Sequence, residues 1–142
     1  MKKILFICTG NTCRSPMAEG LCHRELERRG IRDIECISAG LSPFEGEAPS
    51  ENAVEAMKEI GVDISSKRSQ PITYDLLNSA DLVVCMTADH QRILMPYLSI
   101  IKKCIVLGEG ISDPYGQNLS VYRKTRDEIL DALNQVIDQI TE

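Results

Sequence analysis

The chain has 142 residues, enough for one compact domain and too few for two with proper cores. Its 43% hydrophobic and 26% charged residues are ordinary globular values and exclude a disordered chain. The net charge of −5 excludes general affinity for nucleic acid or anionic membrane, but not a local anion site built from a few oriented groups.

In chain order, residues 3–8 read as a first strand around the apolar run Ile4-Leu5-Phe6-Ile7. The octet Cys8-Thr9-Gly10-Asn11-Thr12-Cys13-Arg14-Ser15 follows as a turn into a first helix, with Ser15 as its N-cap and Pro16 at its first position. Met17, Leu21, Cys22 and Leu26 share one face of that helix, which should stop at Gly30. Arg28, Arg29 and Arg32 read as its solvated end, where cations suit the helix dipole.

A second strand is expected over Ile34 to Ser38, then a turn at Ala39-Gly40-Leu41-Ser42-Pro43. Ser50 can cap a helix running to about Ile60, residues 64–72 read as loop, and Thr73 can cap a short helix to Asn78. Leu82-Val83-Val84-Cys85-Met86 is a continuous apolar run, as a central parallel strand requires. A helix from Ala88 to Met95, a strand from Cys104 to Leu107, a loop from Gly108 to Asn118 and a helix over 119–140 complete the chain. Ile129, Leu133, Val136, Ile137 and Ile140 form the apolar stripe of the last helix.

There is no internal repeat or linker, so residues 1–142 read as one unit. Strands alternating with helices imply an α/β fold: a parallel sheet covered on both faces, a three-layer sandwich whose ligands bind outside the carboxyl ends of the strands. Cys8 and the 108–118 loop would both lie there.

Six cysteines could suggest disulfides, but the apolar run after Lys2-Lys3 is too short for a secretory signal and ends at bulky Phe6-Ile7 before Cys8. No apolar run approaches the ~20 residues of a membrane span. Reduced thiols and a cytoplasmic protein are the expectation. Zinc-ligand spacing is absent, and Cys22, Cys36, Cys85 and Cys104 fall in apolar patterns as small core residues.

The octet carries the chemistry. Backbone N–H groups at a helix N-terminus form an anion site, and a guanidinium strengthens it. A cysteine at its mouth ionises readily and attacks the bound anion. Gly10 and Asn11 tolerate the left-handed backbone that points successive amides inward, and Arg14 can bind two oxygens at once, a geometry lysine lacks. Residues Thr9 to Ser15 would cradle the phosphate, and Ser15 can also donate to the Cys8 sulfur. Cys-x5-Arg-Ser in this setting resembles the loop of a cysteine-dependent phosphatase. The leaving group needs a proton from a positioned acid, and Asp113, before Pro114 and Tyr115, is the best source. The loop is no Walker A sequence, since it lacks the required lysine. His23 and His90 are too weakly placed to partner the cysteine.

These motifs, with Ser38-Ala39-Gly40, make the chain closely resemble the low-molecular-weight protein-tyrosine phosphatase family over essentially its whole length. The resemblance implies a four-stranded parallel sheet in the order 2-1-3-4 and a two-step reaction through a phosphocysteine on Cys8. It gives Arg14 the phosphate and makes Asp113 first acid, then base. It gives Asn11 the loop shape and Ser38 a place in the supporting hydrogen bonds, with no metal or cofactor. Thr12 stands where tyrosine-specific members typically carry isoleucine, and Asp113-Pro114-Tyr115-Gly116 lacks a further aromatic. Together with Tyr122-Arg123-Lys124-Thr125-Arg126-Asp127-Glu128, these features resemble the bacterial protein-arginine phosphatases. A hydroxyl at Thr12 can pair with a phosphoguanidinium where a branched alkane leaves N–H groups unsatisfied.

By the same resemblance Cys13 can form a reversible disulfide with Cys8 that protects the nucleophile from overoxidation, or it can simply pack beneath the loop. Tyr115, and less so Phe44, are candidate pocket walls, although either could fill core instead. Phosphoarginine is therefore favoured over phosphotyrosine as substrate, on a monomeric protein with phosphorylated protein partners and no nucleic-acid or membrane partner. Arsenate reductase, a phosphocarrier domain and a pseudoenzyme are the distant alternatives. The first would need two further cysteines spaced on a mobile segment after the third strand, and the spacing of Cys85 and Cys104 argues against that.

Overall fold

The computed structural model describes residues 2–141, and the buried run Ile4-Leu5-Phe6-Ile7 lies at the centre of its sheet. Strand β1 (Lys2–Cys8) pairs in parallel with β2 (Ile34–Gly40) on one side and β3 (Leu82–Cys85) on the other. The short edge strand β4 (Cys104–Val106) pairs with β3, giving the expected order β2-β1-β3-β4.

Alternate residues of β1 serve two cores, because a strand's side chains point to opposite faces. Ile4, Phe6 and Cys8 pack toward helices α1 (Arg14–Arg28), α2 (Glu51–Lys58) and α5 (Leu119–Ile140). Leu5 and Ile7 pack with Leu77 of α3 (Tyr74–Ser79) and with Leu94, just after α4 (Ala88–Ile93). Burying each such side chain contributes roughly 1.5–3 kcal/mol, so double-sided burial makes β1 the anchor of the fold. Its last residue, Cys8, is thereby held at the carboxyl edge of the sheet.

Helix ends follow local chemistry. α1 closes with Gly30 at φ 70, its N–H donating to Glu27 O at 3.1 Å while Ile31 N–H reaches Leu26 O at 2.9 Å, which is a Schellman motif. Thr73 and Thr87 cap α3 and α4 through their hydroxyls, and the Asn118 side chain caps α5. α4 is shorter than expected, because Pro96 lies two residues beyond Leu94 and the chain continues as a 3₁₀ turn, Met95–Tyr97.

Three expectations are corrected. Ser15 is not the N-cap: α1 starts at Arg14 with Cys13 as its cap residue, because the Ser15 hydroxyl is occupied at the Cys8 sulfur. Pro16 accordingly sits inside the first turn rather than at its first position, where its missing N–H still costs nothing. Ala39 and Gly40 are not turn residues. They continue β2 opposite Ile7 and Cys8, since pairing with β1 outweighs their turn propensity. Finally, Cys22 of α1 and Cys36 of β2 are joined as a disulfide, their Cα atoms 6.6 Å apart where the helix packs on the strand. Both are buried, as expected, but not as thiols; Cys8, Cys13, Cys85 and Cys104 are free.

Candidate active site

The loop between β1 and α1 keeps its shape through Asn11. This residue takes φ 55, the left-handed conformation asparagine tolerates, and its side chain is fully buried. Its Nδ2 donates to Ser15 Oγ at 2.8 Å and to Ser38 Oγ at 3.0 Å, and its Oδ1 accepts from Gln70 N–H at 3.0 Å. Ser38 therefore belongs to the supporting hydrogen bonds. The carbonyls of Cys8, Thr9 and Thr12 accept from the N–H groups of Leu41, Ser42 and Ser50 at 3.0, 3.0 and 2.9 Å. Those bonds turn the carbonyls outward and leave the amide edges of the loop for its concave side, the arrangement an anion needs.

Gly40 explains itself by proximity. A Cβ there would lie 2.8 Å from the Thr9 carbonyl oxygen and 3.2 Å from the Asn11 nitrogen, so no side chain fits between β2 and the loop.

Cys8 is buried at the base of a cavity of about 240 Å³ lined by loop residues, Ser42, Phe44, Glu47, Asp113 and Tyr115. The Ser15 hydroxyl is 2.9 Å from the Cys8 sulfur. It already accepts from Asn11, which leaves its own proton free to be donated to that sulfur. Arg14 is buried, and its Nη1 donates to the Ile111 carbonyl at 2.9 Å. Its Nη2 lies 3.6 Å from the half-exposed Asp113 carboxylate. Asp113 Oδ1 accepts from Tyr115 N–H at 3.0 Å, which fixes the carboxylate at the cavity mouth.

Phe44 and Tyr115 are 83% and 71% exposed, so neither fills core; both flank the mouth. Ser69 holds the Phe44–Glu47 turn: its hydroxyl donates to Phe44 O and accepts from Glu47 N–H at 2.9 Å. Thr12 lines the wall, its backbone held by Ser50 at the head of α2. Cys13 points away to a buried cluster, 3.3 Å from both Ser50 Oγ and the Tyr122 hydroxyl. Burial, and then the bond to Cys13, push the Tyr122 phenol up to about 12.

The structure brings together every loop residue and the acid loop, and adds three groups that sequence reasoning passed over. Glu47 and Ser42 reach the cavity from the loop after β2, with no motif to signal them. His90 was set aside as too weakly placed to partner the cysteine, yet it is 5% exposed and its Nε2 lies 2.9 Å from Thr9 Oγ1. Burial, and then the Arg14 charge, push it down to about 4, so the ring is neutral. Among the described residues its Nδ1 has no partner, and an unmet acceptor costs less than an unmet N–H, which assigns the proton to Nε2. The available signal was its place just past β3, at the ligand-binding edge of the sheet.

A cysteine in an amide-lined loop, a buried guanidinium and a carboxylate at the mouth define a cysteine-dependent phosphatase. The sequence pattern described as Low molecular weight phosphotyrosine protein phosphatase matches residues 3–142. The chain is 36% identical to the protein-arginine-phosphatase of Bacillus subtilis (strain 168), over 96% of this chain and 95% of that one. It is 40% identical to arsenate reductase 2 of Staphylococcus haemolyticus, over 93% of each. It superposes with a TM-score of 0.92 on a mutant YwlE arginine phosphatase bearing a phosphorylated active-site serine, at 35% identity and covering 99% of this chain and 96% of that one. The chain belongs to the low molecular weight phosphotyrosine protein phosphatase family, whose members remove phosphate from phosphorylated proteins.

Proposed function

We propose that the chain is a protein-arginine phosphatase working through a phosphocysteine on Cys8. The Cys8 sulfur attacks phosphorus and the P–N bond breaks as Asp113 gives its proton to the departing guanidine nitrogen. Arg14 and the amides of Thr9 to Ser15 hold the phosphoryl oxygens throughout. Water then attacks phosphorus, Asp113 takes its proton, the S–P bond breaks and phosphate leaves. The Ser15 hydroxyl eases that departure by donating to the sulfur. The serine carrying phosphate in the related YwlE mutant supports a covalent step of this kind.

The observation that carries the substrate choice is the presence of Thr12, Glu47 and Asp113 together in the cavity wall. Thr12 lines the cavity and can offer its hydroxyl to the leaving group, and Asp113 and Glu47 line the same cavity. A phosphoguanidinium places positive charge next to the phosphoryl group, which suits the Glu47 carboxylate, whereas an uncharged phenyl ring gains no such attraction. The exposed rings of Phe44 and Tyr115 favour a second reading, phosphotyrosine, since they could clasp an aromatic side chain.

An arsenate-reductase relay is disfavoured. The remaining free pair, Cys85 and Cys104, packs on the α3–α4 side of the sheet, while Cys8 packs on the other. The test is steady-state hydrolysis of matched phosphoarginine and phosphotyrosine peptides. Higher kcat/KM on phosphoarginine supports the proposal, and preference for phosphotyrosine establishes the second reading.

A further inference from the structure

Cys85 and Cys104 lie on adjacent parallel strands, two residues out of register, since Cys85 pairs with Val106 and Cys104 with Val83. Both project to the α3–α4 face, and their sulfurs are 3.7 Å apart. The two are not equivalent. Cys85 is fully buried, whereas Cys104 is partly exposed and lines a cavity of about 360 Å³ together with Arg92, Lys102 and Lys103. Gln91 Nε2 donates to the Cys104 carbonyl at 3.2 Å and approaches its sulfur at 3.9 Å.

Hydrogen bonding from Cys85 draws the Cys104 thiol down to about 7 against the opposing effect of burial, and Gln91 adds to the lowering. The same contact, with burial, pushes the Cys85 thiol up. A partly exposed thiol drawn toward its thiolate, beside a fully buried thiol, is the arrangement of an attacking and a resolving cysteine. A disulfide bond is about 2.05 Å long, so closure needs less than about 2 Å of approach. β4 can supply it, as a three-residue edge strand paired on one side.

We propose that Cys104 and Cys85 form a second redox-reactive pair that takes a small hydroperoxide through the cavity beside β4, separately from the Cys8–Ser15 loop. The Cys104 thiolate attacks one peroxide oxygen; the O–O bond breaks, the other oxygen leaves as hydroxide or alkoxide, and Cys104 becomes a sulfenic acid. The Cys85 sulfur then attacks the Cys104 sulfur and the S–O bond breaks. The departing oxygen leaves as water with the proton from Cys85, and the disulfide forms. The two thiols lose two electrons and the hydroperoxide gains them. Because the sheet separates this pair from Cys8, the reaction does not pass through the catalytic thiol.

The experiment treats the full chain with hydrogen peroxide while inorganic phosphate fills the loop over Cys8, then maps peptides by mass spectrometry without reduction. The expected result is a Cys85–Cys104 linked peptide as the main fate of Cys104, reversed by dithiothreitol. In Cys85→Ala, Cys104 should instead be trapped by dimedone as a sulfenic acid, and in Cys104→Ser, Cys85 should stay a free thiol. Recovery of both cysteines as thiols from wild type, or oxidation of Cys104 to sulfinic acid without a linked peptide, overturns the proposal. The wild-type map decides the matter even if a variant fails to fold.

Discussion

Arg14 grips the Asp113 loop at two points. One guanidinium nitrogen donates to the Ile111 carbonyl at 2.9 Å and the other lies 3.6 Å from the Asp113 carboxylate. The group proposed to hold phosphate thus also aims the proposed acid, and the loop is pinned again where Ile111 N–H reaches the Met86 carbonyl at 2.7 Å. Asp113→Asn keeps the loop anchored through Ile111 but removes the proton. Steady-state rates should fall about 10²–10³-fold for substrates with basic leaving groups and much less for an activated aryl phosphate. An equal loss on both would contradict the acid role.

Gly40→Ala tests how tightly β2 braces the loop. The added Cβ, 2.8 Å from the Thr9 carbonyl oxygen, must push the loop away. Urea unfolding should show a loss of about 1–3 kcal/mol, and phosphate affinity should drop with it. Unchanged phosphate binding would show that the loop does not depend on that close approach.

His90 gives a pH signature. It is neutral in the fold, pushed down to about 4, but protonates near 6.5 once unfolded. The unfolded chain therefore takes up the proton first, and stability is lost as pH falls from about 6.5 toward about 4, by up to about 3 kcal/mol. Denaturation midpoints across that range should fall less steeply for His90→Gln than for wild type. Parallel curves would contradict the buried neutral ring.

Cys13 points toward Ser50 and Tyr122, so pairing with Cys8 requires its side chain to turn. If that pairing protects the nucleophile, Cys13→Ser treated with peroxide and then thiol should recover less activity than wild type. Equal recovery would leave Cys13 a packing role.

The sheet was largely readable because its central strands are unbroken apolar runs, Ile4 to Ile7 and Leu82 to Cys85, whose burial leaves few alternatives. The Cys8–Ser15 loop was readable because its donors are consecutive in the chain and need no distant partner to be recognised. Contacts between remote segments were not readable. Thr9 meets His90 across 81 positions, and no local pattern marks Glu47 as a cavity residue. Ser15 misled for a related reason: Ser-Pro is a fair local cap signal, but the nearby sulfur of Cys8 claims the hydroxyl. Cys22 and Cys36 read as core thiols because their pairing depends on how α1 lies across β2.

The proposed substrate choice assigns Thr12 as the selector. The most direct measurement is the ratio of kcat/KM for phosphoarginine against phosphotyrosine peptides, in wild type and in Thr12→Ile. Replacing the hydroxyl by a branched alkane leaves a guanidinium N–H without its partner, so the ratio should fall about tenfold or more toward phosphotyrosine. A wild-type enzyme that prefers phosphotyrosine, or a ratio that Thr12→Ile leaves unchanged, would contradict the assignment of Thr12 as the selector for phosphoarginine.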